Sequence, residues 1–302
     1  MNRWIEAARP RTLPLAISSI LLGNFLAYAA GKFSFLTASL AIITTLLLQI
    51  LSNFANDLGD SKNGVDNKNR KVALRAVQTG KISSSEMINA VIIAASLSFI
   101  SGISLLYFAL QYARPQTIIT FVGLGLLAIV AAIAYTVGKR PYGYMGLGDI
   151  SVFLFFGWVG TFGTYYLQTE VLNYYILIPA SGCGFLSVAV LNLNNLRDIE
   201  NDRKTGKLSI PVRIGKLYGF YYQKTIMLLG ICTFIIYLMY QGKPIQLSQN
   251  IIIMAGWYPL VQIIKQLNSK MTPAQIDPYL KKTALSTLFM IVIFGVSQIF
   301  LS

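Results

Sequence analysis

The sequence has no histidine in its 302 residues, and this absence excludes several kinds of chemistry. Haem held by histidine, zinc sites that need an imidazole, Ser-His triads and proton relays through histidine all require a residue that the chain lacks. Cysteine is almost absent too, because the only two, Cys183 and Cys232, lie inside separate apolar runs. We interpret them as small packing residues, not as metal ligands or a disulfide.

Charged residues are also scarce. They make up 12% of the chain, against about 25% in a typical soluble domain, while 55% of the residues are hydrophobic. This composition predicts an all-α, polytopic membrane protein with a single transmembrane domain over residues 1–302, since helices satisfy their backbone hydrogen bonds within lipid. The net charge of +14 favours an orientation signal and contact with lipid headgroups over nucleic-acid binding.

Nine apolar segments approach the roughly 20 residues that a helix needs to cross the hydrocarbon core. They are residues 12–30, 34–53, 85–110, 116–137, 148–166, 173–192, 218–240, 249–264 and 282–301. The eighth segment is short and contains Pro259. Nearly all of the 25 Lys and Arg residues then fall in loops on one side, and the loops opposite hold only Lys32, Arg114 and Lys243. Because positive loops stay inside, we predict a cytoplasmic N-terminus and an outer C-terminus.

Two of these segments end in polar residues spaced as one face of a helix. In residues 49–66 they are Gln49, Asn53, Asn56, Asp57 and Asp60. At the end of the sixth segment they are Asn194, Asn195, Asp198 and Asp202. Both faces are predicted on the cytoplasmic side. Carboxylates at the border of a membrane helix are costly and usually mark function.

These oxygen-rich faces suit Mg²⁺, which takes one or two carboxylates together with water and substrate phosphate. Basic residues in the adjoining loops are placed to neutralise phosphate oxygens, namely Arg75, Lys139, Arg203, Lys204 and Arg213. Together these features predict a diphosphate site at the cytoplasmic membrane surface. The alternative is that the acids cap helices and pair with nearby Lys and Arg, which suits a single Asp better than five.

Residues 135–169 form a third stretch on the predicted cytoplasmic side. Glycines at 138, 143, 146 and 148 permit tight turns and close helix approach, and a lone acid, Asp149, follows them. Asp149 either caps its helix or faces the site, where it positions an acceptor or takes its proton. The aromatic residues beyond it either line a chamber for an isoprenoid or an aromatic ring, or pack against lipid and protein. They are Phe153, Phe155, Phe156, Trp158, Tyr165 and Tyr166.

The two Asp-rich helix ends resemble those of the UbiA-type intramembrane aromatic prenyltransferases, whose motifs are N-D-x-x-D-x-x-x-D and D-x-x-x-D. The residues that match are Asn56, Asp57 and Asp60, then Asp198 and Asp202. Asp66 departs from the pattern because it follows Asp60 by six residues instead of four, so we expect it to matter less than the matching acids. Further supporting stretches are ARPRTLP, NFANDLGDSKNGVD, RAVQTGKIS, GYMGLGDISVFLFFG and NNLRDIENDRKTGKLSIPVRIG.

The resemblance implies a nine-helix bundle in the bacterial cytoplasmic membrane whose active site opens to the cytoplasmic side. It implies transfer of a polyprenyl group from polyprenyl diphosphate to 1,4-dihydroxy-2-naphthoate with loss of carbon dioxide, as in menaquinone biosynthesis. The implied cofactor is Mg²⁺, and the implied environment is the lipid bilayer. The resemblance implies neither an obligatory protein partner nor a nucleic acid.

Under this hypothesis each candidate residue has an expected role. The metal ligands are Asn56, Asp57, Asp60, Asn194, Asp198 and Asp202. The catalytic residues are the four Asp of that set together with Asp149. The diphosphate contacts are Arg75, Lys139, Arg203, Lys204 and Arg213. The contacts to the acceptor and the prenyl group are Asn53, Tyr135, Phe153 and Phe156.

Other interpretations stay open on the sequence alone. A different acceptor, such as 4-hydroxybenzoate, homogentisate or the naphthoate of a phytyl transfer, would use the same motifs. A secondary transporter also carries intramembrane acids, but those tend towards the bilayer midplane, whereas these lie at the rim. Membrane enzymes of phospho-alcohol chemistry carry D-G-x-x-A-R, which this sequence lacks.

Overall fold

All regular structure is helical in the part of the chain described by the computed structural model, residues 2–66, 72, 74–242 and 247–301. The α-helices are α1 (Arg3–Ala8), α2 (Leu13–Ala29), α3 (Phe35–Lys62), α4 (Ser84–Ala109), α5 (Pro115–Ala134), α6 (Gly148–Val152), α7 (Gly163–Thr169), α8 (Leu177–Lys204), α9 (Ile210–Ile214), α10 (Lys216–Gln241), α11 (Leu247–Gln266) and α12 (Pro273–Leu301). A π-helical segment, Phe153–Phe162, joins α6 to α7. Short 3₁₀ turns lie at Pro10–Thr12, Tyr142–Met145 and Tyr174–Ile176.

Eight helical stretches of the described residues are long and apolar enough to cross a membrane. They are Arg3–Ala29, Phe35–Lys62, Ser84–Ala109, Pro115–Ala134, Gly148–Thr169, Tyr174–Lys204, Lys216–Gln241 and Pro273–Phe300. The predicted all-α fold of a multi-pass membrane protein is thereby confirmed, and eight of the nine predicted segments correspond to these stretches. The segment 249–264 lies in α11, which packs against α12 but is not among the eight. The count of nine spans therefore stays a prediction.

Three helices extend beyond the predicted apolar segments on the side that carries the acids. Helix α3 continues to Lys62, α8 continues to Lys204, and α12 begins at Pro273. The prediction stopped where apolar residues gave way to polar ones, but the backbone hydrogen bonding of the helices continues past that point. The Asp and Asn residues therefore stand on ordered helical turns beyond the apolar spans.

The buried core is divided between two bodies of helices. Helices α2, α8, α10, α11 and α12 share the larger cluster of buried apolar side chains, and α3 with α4 forms a second one. Helix α5 contributes no buried residue. The π-helical segment is pressed against α8, where a Cβ at Gly157 would lie 2.8 Å from the carbonyl oxygen of Ala180. The space left between these two bodies contains the candidate site.

Candidate active site

Arg75 gathers the acids at the end of α3 and just after it around one guanidinium. Its Nη1 lies 2.5 Å from Oδ2 of Asp60 and 2.7 Å from the backbone carbonyl oxygen of Asn56, and its Nε lies 3.3 Å from Oδ2 of Asp66. Arg75 is only 8% exposed and Asp60 only 2%. Burial alone would lower the pKa of Arg75, but the carboxylates of Asp60, Asp66 and Asp57 outweigh it and raise that pKa above its ordinary value. The guanidinium therefore stays charged.

Asp66 joins this cluster despite its irregular spacing. After α3, Gly64 adopts a positive φ of 71°, a conformation that glycine reaches without steric cost. The chain turns back there, and the backbone N–H of Asp66 donates to the carbonyl oxygen of Asp60 at 3.1 Å. The alternative for Asp66 is a surface ion pair with Lys68 or Arg70, and both of these residues lie outside the described part of the chain.

Asp57 makes its hydrogen bonds with the backbone turn that follows Arg75. Its two carboxylate oxygens accept hydrogen bonds from the backbone N–H groups of Ala76 (3.1 Å) and Val77 (3.3 Å), and it is 1% exposed. One residue beyond Asn56 corresponds to about 100° around the helix, so Asp57 reaches the turn that carries Arg75. Asp57 still lies four residues after Asn53 and three before Asp60, so its place on the predicted face is not contradicted. Its role as a metal ligand stays a prediction.

The second acidic face is held by Arg197, a residue that the sequence analysis did not select. Its Nε and Nη2 each lie 2.8 Å from an oxygen of Asp198, and Nη2 also donates to Oδ1 of Asn194 at 2.7 Å. Its Nη1 donates to Oδ1 of Asp277 on α12 at 2.6 Å. Asp277 accepts a further bond from Arg11 at 3.2 Å. Because Arg197 is 3% exposed, the centre of this chain of charges is buried.

Asp202 lies one helical turn after Asp198 and is paired with Lys207. The Nζ of Lys207 lies 3.3 Å from Oδ2 of Asp202 and 5.9 Å from the centre of the Tyr144 ring. The Tyr144 hydroxyl donates to Oδ1 of Asp60 at 2.5 Å, so Tyr144 bridges the two acidic faces. Burial, and after it the Asp60 carboxylate, raises the pKa of Tyr144 above its ordinary value. The hydroxyl therefore stays protonated and acts as a donor.

A cavity of about 820 Å³ opens from these charged groups between the two bodies of helices. Its charged and polar end is lined by Arg9, Asn53, Asn56, Asp60, Arg75, Asn194 and Lys207. Most of its remaining wall is apolar and includes Ile20, Leu105, Leu106, Phe121, Phe155, Phe156, Trp158 and Leu167. Gln116 and Ala132, both on α5, line it, and at 1.5 Å per residue they stand about 24 Å apart along the helix. The cavity thus follows most of a membrane span.

The residues predicted for the acceptor and the prenyl group divide between cavity and core. Asn53, Tyr135 and Phe156 line the cavity. Phe153 is not among the lining residues, and its ring packs 4.9 Å from that of Phe185 on α8.

Asp149 is placed on α6, where it accepts a hydrogen bond from the hydroxyl of Tyr222 at 2.7 Å. Tyr222 belongs to α10, so the bond ties α6 to the larger body. Asp149 does not line the cavity, and the residue that caps α6 is Leu147, which makes no side-chain cap bond. A proton-accepting role for Asp149 stays a prediction.

Among the five cations predicted to bind the diphosphate, only Arg75 lines the cavity. Lys139, Arg203 and Lys204 are exposed, and Arg203 lies 3.6 Å from a carboxylate oxygen of Glu200. Their role in binding diphosphate stays a prediction.

Arg213, the fifth of these cations, joins two loops beside the acids. Its Nη2 donates to the carbonyl oxygen of Met145 at 2.8 Å, and its Nε donates to that of Leu208 at 3.1 Å. The backbone N–H of Leu208 in turn donates to the carbonyl oxygen of Tyr144 at 2.8 Å. The bonds of Arg213 therefore support the loop that carries Tyr144.

Sequence reasoning missed several charged or polar residues that the fold brings to the site: Arg9, Arg11, Tyr144, Arg197, Lys207 and Asp277. Most of them lie inside stretches that were already selected, so a signal was present. For Lys207 the deciding feature is a turn, because Gly206 has a φ of 77° and the backbone N–H of Lys207 donates to the carbonyl oxygen of Asp202 at 2.9 Å. No sequence pattern pointed to Asp277 as a site residue, because it lies in a stretch predicted to be a loop.

The donor set of the two faces fits Mg²⁺, since it consists of carboxylate and amide oxygens. Among the residues placed by the structure, no three acidic side chains come close enough to enclose an ion by themselves. The acids are instead divided between two faces, each beside a buried cation. Mg²⁺ commonly takes only one or two carboxylates and completes its shell with water and substrate phosphate. The arrangement therefore suits an ion that is shared with a diphosphate.

Known proteins match the chain over most of its length. The description "UbiA prenyltransferase family" applies to residues 16–296. The 1,4-dihydroxy-2-naphthoate octaprenyltransferase of Escherichia coli is 41% identical over 308 residues, covering 99% of this chain and 95% of that protein. The Haemophilus influenzae protein of the same name is 51% identical over 224 residues, covering 74% of this chain and 72% of its own length.

Solved structures share the fold at low sequence identity. A UbiA homologue from Aeropyrum pernix superposes with a TM-score of 0.66 at 16% identity and covers 93% of this chain and 96% of its own. A homologue from Archaeoglobus fulgidus, bound to DMAPP and Mg²⁺, has a TM-score of 0.63 at 16% identity and covers 100% of both chains. The family match over residues 16–296 and the relatives of the same length confirm the resemblance: this chain is a member of the UbiA prenyltransferase family.

Proposed function

We propose that this chain transfers a polyprenyl group from polyprenyl diphosphate to 1,4-dihydroxy-2-naphthoate, with loss of carbon dioxide, in menaquinone biosynthesis. The observation that carries the proposal is the cavity, which is acidic and basic at one end and apolar along the rest of a membrane span. A polyprenyl diphosphate is divided in the same way, because its diphosphate is charged and its long isoprenoid chain is apolar. Two relatives that are 51% and 41% identical to this chain are named for this acceptor, which favours it over other aromatic rings.

The diphosphate end of the substrate belongs at the two acidic faces. Asn56, Asp60 and Asp66 on one side and Asn194, Asp198 and Asp202 on the other would hold Mg²⁺. When bound, this ion supplies positive charge that stabilises the departing diphosphate. Arg75 and Lys207 line the same end of the cavity and add fixed positive charge to it.

Asp57 is better suited to holding the backbone turn of Ala76 and Val77 than to binding the ion, since both of its oxygens already accept bonds there. By fixing this turn it fixes Arg75, the residue immediately before. We therefore place Asp57 among the groups that position the site.

The prenyl chain and the acceptor ring occupy the apolar part of the cavity. Aromatic faces such as Phe156 and Tyr135 line it, and such faces stabilise the positive charge of an allylic carbon. As the carbon–oxygen bond to the diphosphate breaks, the ring carbon that bears the carboxylate forms the new carbon–carbon bond. Carbon dioxide then leaves, and its bonding electrons restore the aromatic ring. No ring proton has to be removed, so the position of Asp149 away from the cavity is consistent with this reaction.

For the orientation we propose nine spans in the bacterial cytoplasmic membrane, with the N-terminus inside, the C-terminus outside and the charged end of the cavity on the cytoplasmic side. The distribution of Lys and Arg among the loops supports this arrangement. Single cysteines at Lys139 and at Lys32, in a variant without Cys183 and Cys232, can be labelled with an impermeant maleimide on intact cells. Labelling at Lys139 but not at Lys32 would contradict the orientation.

The proposed reaction is tested with purified protein, labelled polyprenyl diphosphate and a panel of acceptors. We expect a prenylated product from 1,4-dihydroxy-2-naphthoate, with one carbon dioxide released per product, and little product from 4-hydroxybenzoate or homogentisate. Faster turnover of either of those two acids would reassign the acceptor. Binding of the diphosphate without any transfer would remove the enzymatic proposal itself.

A further inference from the structure

Asp277 lies outside both Asp motifs, yet it belongs to the chain of charges that holds Asp198. It is on α12, 80 residues after Arg197, and it accepts the bond from Nη1 of that arginine at 2.6 Å. Its side chain is only 27% exposed. The spacing of the two Asp motifs does not account for a carboxylate at this position, so we look for its role in its contact with Arg197.

The bonds of Arg197 define the problem that Asp277 solves. Nε and Nη2 of Arg197 engage both oxygens of Asp198 at 2.8 Å. When Asp198 binds a metal ion, the ion draws on the lone pairs and the negative charge of those oxygens, so Arg197 is left with a weaker counter-charge. A buried guanidinium that loses its only anion is strongly destabilised. Asp198 can therefore bind a metal at lower cost if another anion stays with Arg197.

We propose that Asp277 is this second anion, a positioning residue that retains Arg197 when Asp198 turns to a metal ion. The inference rests on the proposed function, in that it takes the two acidic faces to hold a metal with a diphosphate. Asp277 needs no movement to act, since its bond to Nη1 is already made. Asn194 also accepts from Arg197, but its neutral amide oxygen cannot replace a negative charge.

Removing Arg11 is a second way to change the charge around Asp277, and its expected effect is opposite to that of removing Asp277. Arg11 lies 3.2 Å from Oδ1 of Asp277 and so shares that carboxylate with Arg197. Loss of Arg11 leaves Asp277 to Arg197 alone and removes a cation from the neighbourhood of Asp198. Loss of Asp277 has the reverse effect, because the negative charge of Asp198, which acts on both arginines, then has to compensate them without Asp277.

The test measures metal binding without turnover. Mn²⁺ replaces Mg²⁺ as a paramagnetic probe, and its binding to purified protein is followed by electron paramagnetic resonance with inorganic diphosphate present and neither organic substrate added. We expect Asp277→Asn to raise the half-saturating Mn²⁺ concentration about tenfold, the ratio that corresponds to about 1.4 kcal/mol. Asp277→Glu should restore binding to within about threefold of the parent chain, and Arg11→Gln should not weaken it.

Glu200→Gln is the matched control for the loss of one negative charge. Glu200 lies on α8 between the two acids of the second motif, is exposed, and pairs only loosely with Arg203 at 3.6 Å. A merely electrostatic contribution would make the two neutralising variants alike. A contact role for Asp277 predicts that Glu200→Gln binds Mn²⁺ nearly as the parent chain does.

The outcomes separate this inference from the proposed function. If the parent chain binds Mn²⁺ and Asp277→Asn binds it equally well, the positioning role is refuted while the function is untouched. Equal weakening by Asp277→Asn and Glu200→Gln also refutes it. If the parent chain binds no Mn²⁺ with diphosphate, the metal site itself is wrong. Should Asp277→Asn not fold, failure of Asp277→Glu to bind Mn²⁺ normally in a folded protein would count against the proposal.

Discussion

The two acidic faces are built in different ways. The first is almost local, because Arg75 reaches back only 19 residues to Asn56 and holds Asp60 beside it. The second depends on distant parts of the chain, since Arg197 is tied to Asp277, 80 residues away, and Asp277 to Arg11, 266 residues away. The first face therefore forms with one helix and its following turn, whereas the second requires α8 and α12 to dock at the beginning of the chain.

The largest effect on both faces should come from removing the metal. We expect chelation with EDTA to abolish prenyl transfer and Mg²⁺ to restore it, because the carboxylates alone repel a diphosphate. Turnover before and after metal addition, with the product quantified by mass spectrometry, checks this. Undiminished transfer in EDTA would mean that Arg75, Lys207 and their neighbours suffice without an ion.

Neutralising one acid in each face compares them directly. Asp60→Asn and Asp198→Asn should each lower kcat on the order of a hundredfold, since each removes a metal ligand and every 1.36 kcal/mol corresponds to about tenfold in rate. Because Asp66 is also bound by Arg75, we now expect Asp66→Asn to approach that loss, contrary to the expectation from its spacing. Near-normal turnover of Asp198→Asn would remove the second face from the site.

Replacing cations distinguishes the residues chosen by structure from those chosen by sequence. Lys207→Ala should raise the KM for polyprenyl diphosphate about tenfold, as expected for the loss of a charged contact worth about 1.5–3 kcal/mol, with little change for the acceptor. Lys139→Ala is the control, because Lys139 is exposed and does not line the cavity. A larger effect at Lys139 would restore the assignment made from sequence.

The smallest change in kcat among the acids should be that of Asp57→Asn. Its carboxylate accepts two backbone hydrogen bonds, and an amide keeps only one acceptor oxygen, so we expect a loss of about 1–3 kcal/mol in the free energy of unfolding. Mn²⁺ binding should change less than in Asp60→Asn. Thermal unfolding in detergent and Mn²⁺ titration measure the two quantities, and a selective loss of metal binding with unchanged stability would return Asp57 to the ligands.

The helices and the first face follow largely from the sequence, whereas the partners of the second do not. Apolar runs of membrane length identify eight helical stretches, and helical spacing correctly brings Asn53, Asn56 and Asp60 to the cavity. The same spacing does not reveal that both carboxylate oxygens of Asp57 accept bonds from the turn of Ala76 and Val77. These partners follow 19 and 20 residues later in a loop, where helical periodicity carries no information.

The cations show why proximity in sequence misleads. Arg203 and Lys204 come directly after Asp202, but the helix continues through them and leaves both exposed. Lys207 comes after the helix end, where Gly206 reverses the chain and returns it to Asp202. Asp277 is even harder to predict from the sequence, because its bond to Arg197 exists only after two helices have docked.

The pairing of acids with cations also bears on how this chain enters the membrane. The paired acids are Asp60, Asp66, Asp198, Asp202 and Asp277, and the cations beside them are Arg11, Arg75, Arg197 and Lys207. Positive and negative groups nearly balance, so little uncompensated charge accumulates at the border of the lipid, where it would be costly. Insertion and folding can then be completed with no ion present, unlike the folding of small domains that stay unfolded until they bind zinc. The helices can therefore assemble before the ion binds, and in a cell that is short of magnesium the protein would be folded but inactive.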